Sequence, residues 1–155
     1  MQLHERLSQP ETQGGDNMAM TIGVALAVLV GLFATLVGFD RERTFYPAVL
    51  LVVASYYVLF AAMGGSMHAL VVECGAMVVF VSLAAIGFRT SLWLVAGGLL
   101  GHGIFDLVHG LLITNPGVPH WWPVFCFAYD AVAAAYLAVL LLRSPLRAFP
   151  AARGQ

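Results

Sequence analysis

Three ionisable residues, His102, Asp106 and His109, lie inside one otherwise apolar run, SLWLVAGGLLGHGIFDLVHGLLI, at 91–113. Spacings of four and three put them on one face of a helix, within an arc of about 60°. A charge buried in lipid costs at least ~2.5 kcal/mol, so such groups face a partner, a cavity or a ligand. Two imidazoles and a carboxylate suit Zn²⁺, Fe²⁺ or Mn²⁺. His102 and His109 stand two turns apart, about 10.5 Å along the axis, too far to chelate one ion by themselves. His-x3-Asp and Asp-x2-His are each chelating spacings, with Glu73 or Asp130 to complete the shell.

Three other chemistries fit the same residues. Alternating carboxylates and imidazoles can relay protons, because imidazole titrates near neutral pH. Haem ligation would pair His102 or His109 with His68 on another helix, although facing acids are unusual beside a porphyrin. In a purely structural role, Asp106 pairs with His102 or His109 and Asp130 bonds Tyr56 or Tyr57, which only fixes helix packing.

The elements that must position these groups are transmembrane helices. Of 155 residues, 61% are hydrophobic and 10% charged, against about 25% charged in a soluble domain. The expected surroundings are therefore a lipid bilayer. A net charge of −1 speaks against nucleic acid as a partner. All seven basic residues are Arg, which removes Schiff-base lysine chemistry. Two Cys within spans make no disulfide framework. There is no G-x-S-x-G, P-loop or G-x-G-x-x-G, so serine hydrolase and nucleotide chemistry lack support.

Five apolar segments, 18–39, 45–63, 67–88, 91–113 and 121–142, are each long enough at 1.5 Å per residue to cross a ~30 Å core. The short loops between them predict an all-α integral membrane protein, a compact bundle of five transmembrane helices. Residues 18–143 form that domain. Residues 1–17 are expected to be a disordered polar tail, unlike a signal peptide, with Met18 or Met20 as alternative starts of translation. Residues 144–155 form a short basic tail. Arg41, Arg43, Arg89, Arg143, Arg147 and Arg153 share one side and Arg6 the other, which predicts an external N-terminus and a cytoplasmic C-terminus in a bacterial-type inner membrane.

Punctuation agrees with this map. Thr44 is a candidate cap for the second span, with Pro47 tolerated in its first turn. Asn115-Pro116-Gly117 and Pro119 end the fourth. Trp121 and Trp122 mark an interface, or roof the site. Gly97-x3-Gly101 offers a close-packing face, within the chain or in a homo-oligomer. Asp40-Arg41-Glu42-Arg43 reads as a solvated, self-paired loop.

On this topology Asp106 and Asp130 lie at similar depth, about 12–13 Å in from their span ends. Glu73 is about two turns in, Tyr56 and Tyr57 are nearby, and His68 and His120 sit at the outer rim. The polar residues therefore converge on one half of the membrane. Cys126 is four residues before Asp130; Cys74 adjoins Glu73, and a disulfide needs the third and fifth spans to touch. Met63, Met67 and His68 form a weaker soft-metal set. His4 is given no role.

The leading expectation is a metal-dependent membrane enzyme acting on an apolar or lipid-like substrate. Its ligands are His102, Asp106 and His109, and its catalytic carboxylates are Asp106, Asp130 and Glu73. Accessory groups are His68, His120, Tyr56, Tyr57 and Cys126. The alternatives are a proton- or ion-coupled transporter and a non-catalytic membrane protein.

Overall fold

A computed structural model describes residues 9–143, with side chains from Gly14 onward. Residues 1–8 and the expected tail 144–155 lie outside the described residues. The helices are α1 Gln9–Val37, α2 Phe45–Met63, α3 Met67–Arg89, α4 Leu92–Leu112 and α5 Trp122–Arg143, with one 3-10 turn at Phe39–Arg41. All five contain a stretch long and apolar enough to cross a membrane, and no strand occurs among the described residues.

The N-terminal segment differs from expectation. It is helical from Gln9 rather than irregular to residue 17. Extending an existing helix adds a hydrogen bond per residue with no new nucleation, so Gly14 and Gly15, each costing about 1 kcal/mol, do not end it.

Consecutive helices α2 to α5 pack in chain order, and α2 also touches α4, but α1 packs on α5. The cause is a stripe of small buried residues on α1: Ala19, Gly23, Ala27, Gly31 and Ala34. Small residues let helix backbones approach closely. A Cβ on Gly23 would stand 3.1 Å from Ala128 Cβ, and one on Gly31 would stand 3.2 Å from the Tyr136 ring. The Gly97/Gly101 face is not used in this way: a side chain at either position would meet nothing within 4 Å. The close approaches of α4 are at Gly98, against Leu50, and at Gly103, against Phe127 and Asp130.

The connections are tied down by polar groups. Asp40 is buried rather than solvated. It accepts a 2.8 Å hydrogen bond from Thr35, whose hydroxyl also meets Tyr136 at 2.7 Å. Arg43 donates to the carbonyls of Phe88 (3.2 Å) and Thr90 (3.4 Å), so this loop clamps the α3–α4 turn. Thr44 makes no side-chain cap. Its backbone is already helical, which turns Oγ1 away from the orphan amides. The side-chain caps are Ser66, accepting from Ala69 N, and Ser91, accepting from Trp93 N.

The turn after α4 presses against the end of α2. A Cβ on Gly64 would lie 2.7 Å from the Gly117 nitrogen, so that crossing requires glycine. Trp122 packs between Tyr56 and Phe60, with centroids at 4.9 and 4.8 Å, while Trp121 remains exposed.

Candidate metal centre

The inner face of α4 carries Leu92, Val95, Ala96 and Leu99, then His102, Asp106 and His109, all buried. The apolar turns pack the helix; the polar turns that follow on the same face are buried by the same contacts. Gly103, one residue beyond His102, lets α5 come near enough to bring Asp130 and Cys126 into this layer.

Asp130, fully buried at 0% exposure, meets His102 Nδ1 through Oδ2 at 2.6 Å. The same Nδ1 is 3.5 Å from Asp106 Oδ2. Tyr57 on α2 donates its hydroxyl to Asp106 Oδ1 at 2.7 Å. Cys126 Sγ stands 4.0 Å from Asp130 Oδ2. His102, Asp106, Cys126 and Asp130 each offer one ligand atom, and the four atoms lie within 4.8 Å of one another. Tetrahedral ligands held about 2.0–2.3 Å from a Zn²⁺ stand about 3.3–3.8 Å apart. The contacts at 2.6, 3.5 and 4.0 Å bracket that spacing.

His109 belongs to a different cluster. Its Nε2 is hydrogen-bonded to Glu73 Oε1 at 2.7 Å. Asn115 donates to the same oxygen at 2.9 Å and to the Tyr57 carbonyl at 3.1 Å, while its Oδ1 accepts from Gly117 N. The Tyr57 ring stacks on the His109 imidazole, with centroids 3.9 Å apart and planes at 16°. The three residues expected to form one ligand set are thus divided by the two turns between His102 and His109. Tyr57 touches both halves.

The other expected residues fall around this core. Tyr56 packs on Trp122, and the bond to Asp106 comes from its neighbour Tyr57, so neither tyrosine is the partner expected for Asp130. His68 and His120 are exposed at the rim. Met63 and Met67 are also exposed. Cys74 is exposed and Cys126 buried, both as free thiols. Asn115 was legible only as a turn residue. Its position just past the last apolar turn of α4 was the one sign that its amide could reach back to a buried acid.

Charge balance separates a cation site from simple packing. Arg89 and Arg143 reach only the last turns of α3 and α5, and among the described residues no Arg or Lys lies inside the membrane-crossing interior. Asp106 and Asp130 therefore share one imidazole without a permanent cation. His102 Nε2, Asp106 Oδ2 and Asp130 Oδ1 are buried without a hydrogen-bond partner, and such lone pairs cost free energy unless something satisfies them. A divalent cation between the two carboxylates would supply both charge and a partner for their open oxygens. Thiolate and imidazole beside two carboxylates favour Zn²⁺ or Fe²⁺ over Mn²⁺.

No known protein family, curated protein or solved structure matches the chain.

Proposed function

We propose that the protein is a metal-dependent membrane enzyme acting on an apolar, lipid-like substrate. The observation that carries the reading is the buried His102–Asp106–Cys126–Asp130 tetrad, four ligand-type side chains from two helices whose ligand atoms lie within 4.8 Å of one another. A divalent ion bound there would supply Lewis-acid or water-activating chemistry in a dry site. His102 and Cys126 would hold it, with one carboxylate as ligand and the other orienting His102 or taking a proton. Tyr57 positions Asp106. Glu73 and His109, tied to Asn115, would fix the end of α4 beside that site. The Arg-bearing ends of α3 and α5 are assigned to the cytoplasm of an inner membrane, consistent with the bias in Arg placement.

The second reading, a proton-coupled transporter, is favoured by Tyr57: its hydroxyl bonds Asp106 and its ring stacks on His109, which joins the two imidazole–carboxylate pairs. Haem ligation has no such support, because His68 is exposed and both α4 imidazoles face carboxylates.

Elemental analysis of purified protein, with cobalt substitution, tests the proposal. The expected result is stoichiometric divalent metal and a thiolate-to-cobalt band that Cys126→Ser removes. Metal-free protein with Asp106-dependent proton flux in liposomes would transfer the function to the second reading.

A further inference from the structure

The helix pairing leaves one side of the bundle open. α1 turns away to pack on α5, and α2 packs on α3, so a wedge remains between α2 and the α1–α5 pair. It holds a cavity of about 500 Å³, within the ~300–1,000 Å³ of ordinary ligand sites. Leu26 and Val30 form one wall and Val49 and Val52 another, and Phe125 and Cys126 close the back. Leu26 and Val52, 42% and 51% exposed, frame the mouth.

We infer that this groove binds one acyl chain of a membrane lipid. The mouth lies among mid-helix residues of membrane-spanning segments, so it opens to hydrocarbon rather than water. The lining on α2 runs from Phe45 to Tyr56, eleven helical steps or about 16 Å. That is close to half of a ~30 Å hydrocarbon core, the length of one leaflet's chain. The groove also leads to the polar site: Cys126 lines it and stands 4.0 Å from Asp130 Oδ2. A chain seated there would bring the bond to be attacked, or the terminal carbons, against the tetrad. The inference rests on the proposed metal site for the chemistry at that wall, not for the binding itself.

The test is photolabelling of the full chain in phosphatidylcholine vesicles carrying a palmitoyl chain with a mid-chain diazirine. Adducts on Leu26, Val49, Val52 and Phe125, in excess over lipid-facing residues such as Val79 of α3, are expected. Val52→Trp and, independently, Leu26→Trp should each reduce those adducts about tenfold, which corresponds to ~1.4 kcal/mol of lost binding. Uniform labelling of all exposed faces, or adducts indifferent to both substitutions, would overturn the inference. Metal content measured on the same samples keeps the two proposals apart. Metal bound with uniform labelling removes the groove alone, and groove labelling on a metal-free protein removes the metal centre alone.

Discussion

Two imidazole–carboxylate pairs stand one above the other on α4, at nearly equal contact distances: His102–Asp130 at 2.6 Å and His109–Glu73 at 2.7 Å. Their surroundings differ. The His109 pair has one acid, and Asn115 supplies a further donor to that acid and ties it to the loop and to α2. The His102 pair has a second acid, a thiol and lone pairs left without partners. Equal contacts therefore serve different ends. The single-acid network, with one open atom at Glu73 Oε2, fixes helix ends; the two-acid network, with three at His102 Nε2, Asp106 Oδ2 and Asp130 Oδ1, is the one that could hold a cation.

The largest effect that would break this contrast is on metal content. Asp130→Asn is expected to lower affinity by at least the ~10–100-fold that loss of even an outer carboxylate costs, while Glu73→Gln leaves stoichiometric metal. Elemental analysis of the two variants checks it. Equal loss in both would mean that the two pairs form one site.

Stability should sort the opposite way. Glu73→Ala leaves His109 buried without its acceptor and takes one of two acceptors from the Asn115 amide, a loss of about 3–5 kcal/mol if the imidazole is charged and ~1–3 kcal/mol if it is neutral. A lowered thermal midpoint in detergent with unchanged metal is the expected result. A smaller effect of about 1–2 kcal/mol is expected for Asn115→Ala, which frees the loop from α2 and Glu73 but leaves the His109–Glu73 contact in place. Limited proteolysis of the 113–121 segment, faster in the variant, would report it. An unchanged cleavage rate would show that the Gly64–Gly117 contact alone holds the loop.

What was legible in the sequence follows from the range of the interactions. Span positions depend on local hydropathy, and each of the five helices covers its predicted apolar segment, with α1 beginning earlier, at Gln9. The common face of His102, Asp106 and His109 follows from helical period, and the buried face of α4 carries all three. Which acid meets which imidazole depends on how α3 and α5 rotate against α4, set by residues such as Gly103 far from the acids in chemistry if not in space. For the same reason Cys126, placed among the accessory residues, stands in the tetrad. The α1–α5 contact was written in Ala19, Gly23, Ala27 and Gly31, small residues that hydropathy alone does not separate from other apolar ones.

Tyr57 is where the comparison can be sharpened most finely, since its hydroxyl serves one pair and its ring the other. Tyr57→Phe removes only the bond to Asp106, and metal affinity should fall by about tenfold, the lower end of what an orienting contact contributes. Combined with Glu73→Gln, it measures coupling between the pairs. Independent clusters give additive changes in stability to within about 0.3–0.5 kcal/mol, whereas a joined network gives an interaction energy above that. Additivity is expected, because stacking on His109 survives the loss of the hydroxyl and no hydrogen bond passes from one pair to the other through the ring. A coupling of 1 kcal/mol or more would instead make Tyr57 a link in one continuous polar chain, which is what proton movement between the two pairs requires.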